Sequence, residues 1–341
     1  MGQHLQPQKR LLDMISWPKS CAGLSLFLGM FAVHVPLIHA EKAIFGYPSP
    51  STSFLPLVVA HKKGFFDAEN LQAELVQIRP AVAIPGLTNG SVDYATVLGS
   101  SIAARMRGAP LVIIGVFADK PMDFLVGGKG ITSAKELKGK IVGISALGST
   151  THFLTVRVLR AIGLDPDKDV TLRAVGDEGL RLQALGTGLV QAALLGSQGV
   201  IQGDKERLKV IVAAADVIDS LAFAGLATTF AKMKDNAQQV SRVMRAGLKG
   251  IRYVLDNKAG TVDLLQSWYR LDQGTAAASY DLAVKSYSQN GEVSEKGISL
   301  SMEFVRMGSK IEKEITPAEM VDFKLLREAR KELGWPSGAL K

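Results

Sequence analysis

Cysteine is almost missing from this chain: Cys21 is the single one in 341 residues. No internal disulfide holds the fold, so its hydrophobic core must suffice, and about 300 residues can supply one. Histidine is scarce too, with only His61 and His152 after residue 40. Two histidines without a cysteine cannot assemble a metal-ligand set of the usual spacing, and no metal is expected. The G-x-x-x-x-G-K-[ST] phosphate loop and the G-x-G-x-x-G fingerprint are both absent, so no nucleotide cofactor is implied. There is no G-x-S-x-G elbow either, because Gly143-Ile144-Ser145-Ala146-Leu147-Gly148 has the wrong spacing. Basic residues are scattered rather than clustered, and no aromatic residues interleave them. Nucleic acid is therefore not an expected partner.

What is present begins with an apolar run. Lys9, Arg10 and Lys19 precede residues 22–38, and His39-Ala40 then meets Glu41. That is the pattern of a secretory signal peptide over residues 1–40, cleaved after Ala40, and it implies a periplasmic protein. Retention of the run as a membrane anchor is the alternative, weakened by His34 and Pro36 inside it. Cys21 lies ahead of the run, whereas a lipid-anchoring cysteine would follow it. The formal charge is +8. The leader carries three basic residues and one acid, which leaves about +6 on the remainder, a charge that solvates the surface and mildly attracts anions.

Beyond the leader, short apolar strands alternate with helices. Strands are expected at 43–47, 73–78, 94–98 and 111–117, with helices at 54–63, 82–88 and up to Met106. The βαβαβαβ order implies a mostly parallel sheet covered on both faces, with ligands beyond the carboxyl ends of its strands. Ser51, Thr52 and Ser53 lie at one such end, and Gly99, Ser100 and Ser101 at another. A strand at 123–126 then carries the chain across to a second α/β unit, with strands at 141–145, 170–174 and 208–213. A second crossing strand is expected at 222–228, and two crossings define a hinge. Amphipathic helices follow from Ala231, with Val240, Val243, Met244, Leu248, Ile251 and Leu255 on one stripe and Ile298, Met302 and Val305 on another.

The second unit is built around residues 140–164. A strand runs into Gly148-Ser149-Thr150-Thr151, and a helix follows with Phe153, Leu154, Val156, Leu159, Ala161 and Ile162 as its apolar face and Gly163 as its stop. Helix starts leave backbone N–H groups unpaired and carry partial positive charge. Either one hydroxyl caps the helix and the others meet water, or the three together frame a pocket for an anionic or strongly polar small molecule. His152 beside Ser149 reads as a general base or, more simply, as a hydrogen-bonding residue of the first turn.

The halves echo each other. Residues 87–95 and 185–193 share Leu, Gly, Val and Ala at matching positions, and each copy reaches Leu-Gly-Ser, at Leu98-Gly99-Ser100 and Leu195-Gly196-Ser197. Two similar lobes facing one cleft are expected.

The runs YPSPSTSFLPLVVAHKKGFFDAENLQAEL (47–75), NGSVDYATVLGSS (89–101), LKGKIVGISALGSTTHFLTVRVLRAIGLDP (137–166) and LQALGTGLVQAALL (182–195) resemble the solute-binding proteins of bacterial importers for nitrate, sulfonate and taurine. That group includes the thiamine-pyrimidine receptors. The resemblance implies an α/β, type II periplasmic binding protein fold with two lobes, a two-strand hinge and C-terminal helices. Lobe I would take residues 41–127 and 223–341, and lobe II residues 128–222. It also implies a small-molecule ligand held by Ser51, Thr52, Ser53, Gly99, Ser100, Ser101, Ser149, Thr150, Thr151 and His152, with Ser197 and Gln198 on the remaining wall. Its partners would be an ABC permease of the inner membrane and its ATPase, with a monomeric carrier, no cofactor and no catalysis. The sequence departs from the family at Asn70, where a glycine is common, and at Gln191, where an acid is usual. An enzyme of pyrimidine-forming or menaquinone-pathway type, or a module reporting to a membrane sensor, are the alternatives on the same fold.

Overall fold

The computed structural model describes residues 40–335 apart from 49, 206, 309, 310, 312 and 313. The expected leader, Ala40 excepted, lies outside the described residues. No helix among them is long and apolar enough to cross a membrane.

The chain builds β1 (Glu41–Tyr47), α1 (Leu55–Lys62), β2 (Leu71–Gln77), α2 (Pro80–Asn89), β3 (Tyr94–Ala95), α3 (Leu98–Met106) and β4 (Leu111–Ala118). A second series follows: β5 (Asp123–Gly127), β6 (Lys140–Ile144), α4 (Thr150–Ala161), β7 (Val170–Ala174), α5 (Glu178–Thr187), β8 (Ala192–Gly196), α6 (Ser197–Lys205), β9 (Lys209–Ala213) and α7 (Ala214–Val217). β10 (Ala224–Thr229) returns to the first sheet. After it come α8 (Phe230–Asp235), α9 (Ala237–Asp256), α10 (Lys258–Tyr269), α11 (Gln273–Ala283), α12 (Glu295–Gly308), α13 (Pro317–Met320) and α14 (Lys324–Glu332).

Two five-stranded sheets result, in the orders β2-β1-β3-β10-β4 and β7-β6-β8-β5-β9. Each is mixed rather than all-parallel. The antiparallel member, β10 in one and β5 in the other, is the strand that follows a crossing. The expected crossing strands therefore do not span the two sheets. β5, expected as the end of lobe I, pairs along its whole length with β8 in the second sheet, and β10 lies wholly in the first. The crossings are the short segments 119–122 and 218–223. They are tied to each other by Leu221 N–H donating to Asp119 O at 2.7 Å and Phe223 N–H donating to Ala118 O at 3.2 Å. Pro121 in the first crossing has no N–H with which to continue a ladder.

The two copies of the repeat fold alike. Gly90 and Gly188 both end a helix in the left-handed region, at φ 79° and 76°, and Val92 and Val190 are both buried. Asp93 N–H donates to Ile44 O on β1 while the Asp93 carboxylate accepts from Ile44 N–H at 2.8 Å. Gln191 repeats this: its N–H donates to Ile141 O on β6 and its Oε1 accepts from Ile141 N–H at 3.1 Å. The acid-to-amide departure thus keeps the one oxygen the corner needs. The Gln191 amide nitrogen donates locally to Gly188 O, whereas the second Asp93 oxygen pairs with Lys232 Nζ of α8 at 2.8 Å. Asn70 holds the left-handed turn into β2 at φ 52°, a conformation that asparagine tolerates.

Core packing places α9 against the first sheet. Val240, Val243, Met244, Leu248 and Ile251 are buried there beside Phe45, Tyr94 and Leu226. On α4 the buried face is Phe153, Leu154, Val158 and Leu159, while Ala161 is exposed. The expected stripe was thus rotated slightly, because Thr155 and Val158 complete the face that meets β6 and α12. α9 also touches α1 so closely that a Cβ on Gly250 would lie 2.2 Å from Pro56 O. Gly250→Ala is expected to destabilise the protein by roughly 2 kcal/mol or more, since two backbones must part to admit one methyl. Urea unfolding would read this as a lower midpoint at unchanged slope.

Candidate functional site

Strand ends of both sheets converge on one cleft. Its first cavity, ≈ 540 Å³, is walled by Ser51, Ser53 and Phe54, by Thr96, Leu98, Gly99 and Ser100, by Gly148 and Thr150, by the crossing residues Leu221, Ala222 and Phe223, and by Ser301, Phe304 and Val305 of α12. A second cavity, ≈ 460 Å³, shares Ser51, Ser53 and Phe223 with the first. It adds Thr52, Met122 and Asp123, then Glu178 of α5, Ser197, Gln198 and Gln202 of α6, and Tyr269 of α10. Phe223 and the 51–53 turn stand between the two chambers.

The 51–53 turn forms because Ser51 caps a single turn of 3-10 helix, Thr52–Phe54, its Oγ accepting from Ser53 N–H at 3.2 Å. Ser51 Oγ in turn donates to Ser53 Oγ at 3.1 Å. This capping exposes Ser51 to both cavities and buries Thr52 and Ser53. Thr52 O accepts from Tyr287 O–H at 2.7 Å, which fixes the turn from beneath. Across the cleft Thr52 Oγ1 and Ser197 Oγ lie 3.4 Å apart, one hydroxyl from each sheet's side.

Of the twelve residues expected from sequence, the structure brings Ser51, Thr52, Ser53, Gly99, Ser100, Thr150, Ser197 and Gln198 to the cavity walls. Gly99 and Ser100 arrive as the first turn of α3 rather than as a loop, because helical bonding begins with Ser101 N–H donating to Val97 O. Ser101, Ser149, Thr151 and His152 do not line either cavity. Ser101 is buried, its hydroxyl donating to Val97 O at 3.0 Å. Ser149 Oγ accepts from His152 N–H at 3.2 Å and donates to Ala146 O at 2.7 Å. His152 Nδ1 accepts from Gly148 N–H at 3.0 Å. The α4 start is thus closed largely on itself, and its capping residues are spent on structure; Thr150 and Gly148 are what it offers the cleft.

Sequence reasoning missed Asp123, Glu178, Phe223, Tyr269 and Phe304. Glu178 sits past the end of β7, where the strand-end rule already pointed. Tyr269 and Phe304 come from the C-terminal helices, and no local pattern aims them at the cleft. Glu178 Oε1 accepts from Gly199 N–H at 3.1 Å, a reach possible because Gly199 has no Cβ: one would lie 2.5 Å from that oxygen. Burial, then the neighbouring Glu178 charge, push the Asp123 carboxyl up to about 6, against the opposing pull of Arg181. Arg181 is 6% exposed and donates from Nε to Leu194 O at 3.1 Å and from Nη1 to Gly176 O at 2.7 Å. Burial holds the Arg181 guanidinium below its usual range, with the surrounding carboxylates acting the other way. Among the described residues neither cavity wall carries a lysine, arginine or histidine. No group of three or more metal-ligating side chains occurs among the described residues.

Residues 51–260 match the family model described as NMT1/THI5 like. The chain belongs to the NMT1/THI5-like family. A riboflavin-binding protein, RibY of Chloroflexus aurantiacus, is 28% identical to this family member over 231 residues, 63% of this chain and 62% of that protein. The match therefore spans less than two thirds of that curated relative. Among solved structures, a sulfonate-binding protein SsuA described as putative, from Methylobacillus flagellatus, superposes with a TM-score of 0.71 at 15% identity, covering 89% of this chain and 99% of that one. The desulfurization enzyme DszB superposes at 0.65 with 12% identity, over 86% and 99% of the two chains. The NMT1/THI5-like chain thus has the periplasmic binding protein fold, a fold that binding proteins and an enzyme share.

Proposed function

We propose that this protein is the extracytoplasmic solute-binding receptor of an ABC importer, which holds a small polar ligand between its two sheets and delivers it to a permease with an attached ATPase. The observation that carries the reading is the cleft itself: its walls come from strand ends of both sheets, and Thr52 and Ser197 meet across it. A ligand in contact with both walls favours the closed arrangement by the contacts it gains there, and the crossings at 119–122 and 218–223 are where a hinge would bend. Residues 41–122 and 223–335 then form one lobe and 123–222 the other. An expected leader at 1–40 and the sulfonate- and riboflavin-binding relatives support export and receptor duty. The described residues of the cavity walls offer hydroxyls, amides and two carboxylates but no thiol or imidazole, which favours holding a ligand over transforming one.

The test is thermal unfolding of the purified protein against sulfonates, carboxylates, nitrate, phosphonates, pyrimidines, flavins and amines. A ligand at 100 times its Kd adds about 2.7 kcal/mol to the folded state, a shift of several degrees at this size. The shift is expected to disappear in Thr52→Val and in Ser197→Ala, which remove hydroxyls from opposite walls. Turnover of a bound compound, or no shift with any of them, would overturn the receptor reading.

A further inference from the structure

The charges of the cleft run against the anion-binding expectation. Among the described residues its cavity walls bear two carboxylates, Asp123 and Glu178, and no basic side chain. Both carboxylates line the second cavity. Glu178 is anchored through Oε1 by the Gly199 amide, and its Oε2 has no hydrogen-bond partner among the described residues. Neither oxygen of Asp123 has one among the described residues either. Arg181 stands behind them with two N–H groups given to backbone carbonyls, so it offsets one negative charge and presents none of its own to the chamber. A separate observation marks this chamber as a place for a polar ligand group. Tyr269 lines this cavity, and its hydroxyl oxygen is fully buried with no hydrogen-bond partner. Burial, then Tyr47, raise its pKa, so the phenol stays neutral and holds an unused donor and acceptor at the wall of this chamber. The first cavity differs in kind: Phe54, Leu98, Leu221, Phe223, Phe304 and Val305 make its walls largely apolar.

We infer that the second cavity is a cation-recognising subsite, and that the ligand is an organic ammonium whose charged nitrogen sits between Asp123 and Glu178 while its apolar body fills the first cavity. This rests on the receptor reading above and names the ligand class for it. A desolvated ammonium is strongly disfavoured unless paired, and a pair of half-buried carboxylates with free oxygens supplies that pairing. A sulfonate or nitrate in the same chamber would meet like charge with no cationic side chain on the described wall to compensate.

The experiment compares probes of one shape and different heads on the purified protein by calorimetry: 2-phenylethylamine, 2-phenylethanol, phenylacetate and benzenesulfonate. The amine is expected to bind at least tenfold tighter than the alcohol, and the two anions not measurably. Glu178→Gln, an isosteric change that keeps an oxygen for Gly199 N–H, is expected to weaken the amine tenfold or more and to leave the alcohol unchanged. Asp123→Asn should do the same, its thermal midpoint showing that it folds. Tighter binding of phenylacetate or benzenesulfonate than of the amine, or an amine affinity indifferent to both substitutions, overturns the ammonium assignment while leaving the receptor standing. Failure of all four probes overturns the ammonium assignment, and only failure of the whole compound panel as well overturns the receptor.

Discussion

Arg181→Leu is expected to cost the folded state about 2–4 kcal/mol, because it removes the buried cation that offsets the half-buried Asp123 and Glu178 charges rather than merely deleting a contact. The guanidinium donates to Leu194 O on β8 and Gly176 O before α5, so two carbonyls also lose their partners. A buried polar group left unpaired costs on the order of 1–3 kcal/mol by itself. Leucine fills the volume, so the loss is electrostatic and not a cavity. Arg181→Lys keeps the charge but not the fork that reaches two carbonyls, and should fall between. Urea unfolding decides it: a midpoint loss worth less than about 1 kcal/mol would mean that Asp123 and Glu178 are solvated well enough to stand without Arg181.

Asp123→Asn should act in the opposite direction. The folded carboxyl titrates at about 6 against an ordinary value of 3.8, with burial and then Glu178 raising it and Arg181 opposing. Between those two values the folded protein holds a proton that the unfolded chain has released. Stability from this group therefore falls as pH rises from about 4 to 6, and the full penalty is present at pH 8. Two pH units correspond to roughly 3 kcal/mol, an upper bound because Asp123 is only half-buried and faces the cavity. Asparagine is thus expected to stabilise the unliganded protein by about 1–3 kcal/mol at pH 8 and by almost nothing near pH 3.5. Asp119, in the first crossing, is raised to about 6 as well, mainly by burial, with Lys120 and its own backbone N–H opposing. The variant should therefore keep part of the parent's slope. Paired thermal melts across that pH range measure it, and a variant less stable than the parent at pH 8 would refute the burial penalty. A stabilising loss of a cleft residue is what a site held ready at the expense of stability should show.

The strand–helix alternation, the two crossings and the paired glycine turns were legible in the sequence, because short apolar runs and Gly90 or Gly188 are local signals. Strand direction was not: nothing near Asp123 or Ala224 says that β5 and β10 slot antiparallel into the middle of their sheets, since pairing partners lie as far apart in sequence as Ala95 and Ala227. For the cleft, the strand-end rule pointed to hydroxyls that line the two cavities, Ser51, Ser53, Ser100 and Ser197 among them. Ser149 and His152 stand off the cavity walls, where the capping hydrogen bonds of a helix start occupy their polar groups. The rule was silent on Asp123 and Glu178, whose role in the cleft depends on how the second sheet folds back on α6, and on Phe304, which reaches the cleft only through the packing of α12 between α3 and α4.

The position of β10 between β3 and β4 has a consequence for synthesis. All strands of the second sheet come from one uninterrupted stretch, β5 to β9. The first sheet cannot be completed from its own opening segment: β3 and β4 emerge with an empty lane between them, and the strand that fills it is made only after the whole second sheet. As the chain grows from its amino end, its earlier half waits for its later one. The unpaired edges of β3 and β4 are then the stretches most in need of shelter on a newly made chain.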